Sequence, residues 1–433
     1  MEIEGYTTQT LSVVVEQLPI GTNLALYQFL WMLVSGALHD SRGALFSALQ
    51  SIGLTEAEVR RAWAAFRYGA WTIAELLSVW RAHVTDQEQW QAVQYAGYYV
   101  KAVDLTAYWR PTLKGLQSQH YEAHANKALP AVVFGLVGRV GRIGEQRQAL
   151  LTNLLRADLA DPSEATLHTT LLKQVVQELA ADEMPVFDAG FKLKALHAVN
   201  MPRFVVRVAK NFTARRNFLP EYAGGRPPAY GALVRPLARA YNGKPIEATP
   251  PDRVETWQSH GLEFRAEFWD DLVLTELKPA ADNQTFMVAA IHDPRFAEPW
   301  LLACPHRLAG ADLRGLYQAR WPIEQLPLAA KHMVGADRQF VFAEESCYRL
   351  PELSLLAGSI LTYLAATLPP IPTGFWDRQP KATPGRLRRW LAHTSFSDLP
   401  PLPQGQMRKK ASVTAHLPKG VLGHRRSKQP ALP

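Results

Sequence analysis

Cysteine is nearly absent: the 433 residues contain two, Cys304 and Cys347. That excludes a disulfide framework and a Cys-rich zinc module, and it suits a reducing cytosol. Long apolar runs are missing as well, since no uninterrupted stretch approaches the ~18–20 residues of a membrane helix. The N-terminal MEIEGYTTQT lacks the basic-then-apolar pattern of a signal peptide. A cytoplasmic protein with no membrane partner is therefore expected. Acidic residues are scarce in two places. Residues 201–250 hold nine Lys and Arg against two Asp and Glu, and 371–433 hold twelve against two, while 1–100 reverse the balance with five against nine. The net charge of +8 is thus carried by two stretches. Such concentration is what phosphate neutralisation requires, because counterion release scales with local contacts; a charged loop and a solvated tail would look the same.

What is present reads as folded and globular, with 47% hydrophobic and 20% charged residues. Residues 1–95 show helical spacing through Leu24, Phe29, Leu30 and Leu33. Thr55 with Glu58 three residues on forms a capping-box pattern before Val59, Trp63 and Phe66. This segment is expected to be a helical domain, either a DNA-end-binding module or a bundle used for packing. From 96 to 210 strands and helices alternate. GYYVKAVDL is a strand ending at Asp104, 129–144 a strand broken by glycines, and 163–182 a helix. MPVFDAGF stops at Asp188, 192–199 is helical, and RFVVRVAK a further strand. Residues 211–305 begin irregular and rich in Pro, Gly and Arg, then become a run of strands, LEFRAEFW, LVLTEL, TFMVAAI and PWLLAC. Residues 306–370 are helical again, and 371–433 are Pro-rich, then basic, and expected to be a flexible tail. The fold class is mixed α/β, or α+β, with an N-terminal helical domain and an all-β insertion.

Tyr317, Arg320, Glu324 and Lys331 recur at spacings that place them on one helical face. As a site, the carboxylate holds a cation while the phenol and the two cations grip phosphate oxygens. As plain structure, Arg320 and Glu324 are an i,i+4 ion pair on a solvated face. Pro322 fits best as the first residue of a second helix. Asp104 and Asp188 each end an apolar strand, where hard cations can be held by few ligands, although aspartates also end strands as turn formers.

YQARWPIEQLPLAAK resembles the Y-x2-R-x3-E-x6-K element of DDE transposases of bacterial insertion sequences. AVDLTAYWRP and VFDAGF resemble the segments carrying that family's first and second catalytic Asp. The gaps of 84 residues from Asp104 to Asp188 and 136 from Asp188 to Glu324 are similar to members with a β insertion before the Glu. The resemblance spans roughly residues 95–368. It implies a ribonuclease-H-like catalytic core, with Asp104, Asp188 and Glu324 as catalytic metal ligands for two Mg²⁺ ions that Mn²⁺ can replace. It implies cleavage at element ends and joining of 3′-hydroxyls to target DNA by a nucleoid-associated enzyme, with double-stranded DNA as partner and a homodimer in the complex. Tyr317, Arg320 and Lys331 match phosphate-gripping positions, Arg207 and Lys210 match DNA-contacting residues after the fifth strand, and Trp300 matches a base-stacking aromatic. Ala189 departs from the family's usual Arg. A metal-dependent nuclease, a non-catalytic DNA-binding relative, and on composition alone a glycosidase remain rival readings.

Overall fold

A computed structural model of the chain describes residues 3–222 and 224–394. The part of the basic tail from 395 onward lies outside the described residues. The protein is a mixed α/β fold: six N-terminal helices between Ile3 and Thr85 precede a large mixed sheet.

The helical region is built on local signals that the chain states plainly. Thr55 caps the helix Glu56–Tyr68, and its side chain and that of Glu58 exchange bonds with each other's backbone. Thr72 and Glu75 repeat the motif at the helix Ile73–Thr85. The helix Thr22–Val34 is apolar nearly all round and is buried accordingly. Phe29 stacks on Phe66 with ring centroids 4.8 Å apart. The region packs on the long helix Glu344–Thr367: the Trp80 indole donates to Ser359 Oγ at 3.1 Å, and Arg349 donates to the carbonyls of Phe66 and Gly69. Residues 3–95 thus share one hydrophobic core with the helix Glu344–Thr367. By length and composition Glu344–Thr367 could cross a membrane, although no uninterrupted apolar run announces it. Here 83% of its apolar window is buried inside the protein.

Among the described residues the sheet has fourteen strands. Tyr98–Trp109 lies between Lys127–Ile143, antiparallel to it, and Glu183–Phe187, parallel to it; Val205–Arg207 follows in parallel. Gln146–Arg156 pairs antiparallel on the outer side of Lys127–Ile143. Beyond Val205–Arg207 the sheet continues antiparallel through Trp300–Cys304, Phe286–His292 and Leu262–Val273. The strands of 253–304 therefore extend the central sheet rather than forming a layer of their own. Two strands differ from expectation. Tyr98–Trp109 runs five residues past Asp104 because the Thr-Ala-Tyr-Trp stretch keeps pairing with 131–134. Leu262–Val273 passes unbroken through a register shift where two strands were expected.

Pro322 opens the short helix Pro322–Leu328, just after Gly310–Ala319. Its missing N–H costs nothing at that position. A wider, π-helical turn, Ala329–Val334, follows and ends at Gly335. Gly335 has φ 94°, and a Cβ there would lie 2.5 Å from the His39 Cα. Only glycine satisfies both constraints.

Candidate functional site

Parallel register places the first two carboxylates side by side. Val103 is level with Phe187, so the next residues along the two strands, Asp104 and Asp188, lie side by side where Glu183–Phe187 ends. Glu324, in the first turn of Pro322–Leu328, completes a group whose charges are felt at Asp104. Arg320 then enters from the end of Gly310–Ala319. Its Nη2 donates to Glu324 Oε1 at 2.6 Å, and its Nη1 lies 3.5 Å from Asp104 Oδ2. The guanidinium is 4% exposed, whereas the Glu324 side chain is 52% exposed.

The electrostatics follow from this burial. Desolvation raises the Asp104 carboxyl to about 7; Arg320 pulls it back, the Asp188 and Glu324 charges push it up, and the Leu105 amide, 2.9 Å from Oδ1, favours the ionised form. Arg320 loses stability as a cation through burial, yet Asp104 and Glu324 more than offset this and hold its pKa above the ordinary value. The Asp188 carboxylate is turned back on its own loop and accepts from the Gly190 N–H at 2.9 Å.

These residues do not fit the two metal ions that the resemblance implies. Among the described residues no group of three or more His, Cys, Asp or Glu side chains is placed to hold a metal ion. A guanidinium stands between Asp104 and Glu324, and the Asp188 oxygen is committed to Gly190. Asp104, Asp188 and Glu324 are neighbours without being a ligand set. The expected Mg²⁺ or Mn²⁺ cofactors, DDE catalysis, the transposase reaction and the metal-dependent nuclease alternative are corrected accordingly. All depended on carboxylate oxygens converging on cations, and here those of Asp104 and Glu324 converge on Arg320.

The remaining expected residues fall into two groups. Tyr317 is 2% exposed and Trp300 4% exposed. Their rings pack at 5.4 Å inside a cluster with Phe296 and Trp321. The cluster reaches the surface through Phe296, 42% exposed, and Trp321, 38% exposed. Arg207 ends its strand opposite Leu302, and Lys210 forms an exposed ion pair with Glu298. Neither joins the Asp104–Arg320–Glu324 group.

Lys331 occupies the π-helical turn, its ammonium 5.2 Å from the Tyr108 ring and 5.0 Å from the Trp109 ring. Burial draws it down to about 8, against the opposing charges of Asp337 and Asp104. With Tyr108, Trp109, Glu324, Leu328 and Asp337 it lines a cleft of about 340 Å³. Arg110, next to Trp109, donates to the Gln339 side chain and, at 2.7 Å, to the Val341 carbonyl. Tyr108, Trp109 and Asp337 were not singled out from the sequence. The period-two alternation running from Asp104 through Thr106 to Tyr108 was the available signal for Tyr108.

No protein-family model matches this chain, and no curated protein matches it significantly. The likeness to insertion-sequence transposases accordingly rests on the quoted motifs.

Proposed function

We propose that this protein binds double-stranded DNA, and that its central sheet is a ribonuclease-H-like core extended by antiparallel strands. The fold reading is supported by strand order and sense. Gln146–Arg156, Lys127–Ile143 and Tyr98–Trp109 are consecutive antiparallel neighbours, and Glu183–Phe187 and Val205–Arg207 then add in parallel on the other side.

One observation carries the DNA reading. Of the nine Lys and Arg residues between 201 and 250, only Lys210 and Arg216 meet a carboxylate among the described residues. The rest, including the exposed Arg226 and Lys244, leave a concentration of positive charge without internal neutralisation. A polyanion satisfies such a surface by releasing its condensed counterions. The reading asks for phosphate contacts and needs no bond-breaking step. A homodimer on DNA belongs to the same proposal.

The test is fluorescence anisotropy of a labelled duplex titrated at several salt concentrations, with stoichiometry from sedimentation. Affinity should fall steeply with salt. Arg226→Ala and Lys244→Ala should each reduce the slope of log affinity against log salt by about 0.9 for every phosphate the variant no longer neutralises, equally for unrelated duplex sequences. Salt-independent binding, or no binding at about 50 mM salt, where such contacts are strong, sinks the proposal.

A further inference from the structure

The cleft beside the π-helical turn is a built cavity, and its chemistry is mixed in an informative way. Its volume of about 340 Å³ lies at the lower end of the ~300–1,000 Å³ that ligand pockets occupy. Trp109 and Leu328 supply apolar wall, Lys331 a cation, and Glu324 and Asp337 carboxylates. Tyr108, 2% exposed, carries a hydroxyl that has no hydrogen-bond partner among the described residues. An unmade bond at a buried hydroxyl is costly. The turn that presents Lys331 is π-helical, a rare geometry that recurs at functional sites.

A bare anion would meet Lys331 but also face two carboxylates. A purely apolar ligand would leave the hydroxyl, the ammonium and the Asp337 carboxylate unanswered. A nucleotide answers all of them. Its base offers a planar face to Trp109, ring nitrogens or carbonyls to the Tyr108 hydroxyl, and an exocyclic amine to Glu324 or Asp337, while its phosphate meets Lys331. We infer that the cleft lined by Tyr108, Trp109, Glu324, Lys331 and Asp337 is a binding site for a single nucleotide, either free or at the terminus of a DNA strand. The inference deepens the DNA-binding reading, and its source in DNA rests on that reading.

Isothermal titration of the full chain with each of the four deoxynucleoside monophosphates, with inorganic phosphate as control, tests the site directly. At least one nucleotide should bind about tenfold more tightly than phosphate, since stacking and base-edge bonds are worth at least that factor. Tyr108→Phe and Trp109→Leu should each weaken nucleotide binding by roughly three- to tenfold while leaving affinity for an internal duplex segment unchanged. Asp337→Asn, a near-isosteric change, should do the same for amine-bearing bases and serves if either aromatic variant melts early. A single strand carrying terminal 2-aminopurine separates the sources: a fluorescence change assigns the site to a strand end, and mononucleotide binding without it assigns the site to free nucleotide. Phosphate binding as tightly as every nucleotide, no nucleotide binding, or indifference to all three substitutions overturns the inference. Loss of duplex binding with nucleotide binding intact would instead remove the DNA-binding reading and leave the cleft's role standing.

Discussion

Arg156 and Arg320 each face two carboxylates, and they do so with opposite completeness. Arg156 is matched on all sides: its Nε and Nη2 donate to Glu352 at 2.6 and 2.9 Å, and its Nη1 and Nη2 to Glu345 at 2.9 and 3.0 Å. Glu352 is fully buried, and the Tyr348 ring sits under the guanidinium at 4.8 Å. Arg320 has one short bond to Glu324, a 3.5 Å approach to Asp104 and an Nε with no partner among the described residues. The first arrangement ties the strand Gln146–Arg156 to the long helix Glu344–Thr367 and leaves nothing over. The second, more deeply buried at its arginine, opens through Glu324 to solvent and to the cleft. A satisfied network holds structure together, and a partly satisfied one marks where a partner fits.

The comparison breaks most sharply at Arg156. Arg156→Ala leaves Glu352 buried without a counter-charge and should destabilise the protein by about 3–5 kcal/mol. Urea denaturation measures this, and a loss under about 1 kcal/mol, the range of an exposed pair, would mean that Glu352 is relieved by protonation or water.

Arg320→Ala should cost less, about 1–3 kcal/mol at pH 8, because its partner Asp104 has a way out. With a folded carboxyl at about 7, Asp104 is ionised and in need of Arg320 above that pH and neutral below it. The destabilisation should therefore shrink as pH falls from 8 to 5. Equal cost at both values would place the Arg320 contribution on packing instead.

The cleft offers a third contrast, in charge rather than stability. The Lys331 cation is lost as pH rises through about 8. Affinity of the cleft for a labelled mononucleotide should then drop by about tenfold between pH 7 and 9, the worth of one charge-assisted contact, and Lys331→Arg should flatten the profile because guanidinium stays charged. Anisotropy titrations across that range decide it; a wild-type profile as flat as the variant's would remove Lys331 from the contact.

The smallest effect is expected at Glu324. Its side chain is 52% exposed, so its ion pair is screened by water, and Glu324→Gln should change stability by no more than about 1 kcal/mol. Glu352→Gln in the buried counterpart gives the reference measured in the same way. A Glu324 loss as large as that at Glu352 would make the two clusters alike after all.

Much of the fold was legible where physics acts locally. Thr55 with Glu58 announces a capped helix, and that helix forms. Pro322 marks a helix start for want of an N–H, and the chain begins Pro322–Leu328 there. The apolar strand Glu183–Phe187 stops before Asp188 as its pattern indicates. Gln146–Arg156 was not legible, because its Gln and Leu residues carry no strong strand preference; pairing with Lys127–Ile143 makes it a strand. The candidate site divides in the same way. That Asp188 ends its strand follows from pattern, whereas Asp104 sits inside a strand that pairs on to Trp109.

By itself, the sequence determined which residues are apolar, where helices are capped, where strands stop and where unneutralised charge accumulates, since each depends on neighbours within a few positions. The tertiary structure decided what the carboxylates do. The side chain of Arg320 reaches between Asp104 and Glu324 only because two helices meet two strands where Glu183–Phe187 ends beside Tyr98–Trp109. Its direction there is set by packing between segments far apart in the chain. Spacing along the chain cannot distinguish an arginine beside a metal site from an arginine that fills the space between its carboxylates.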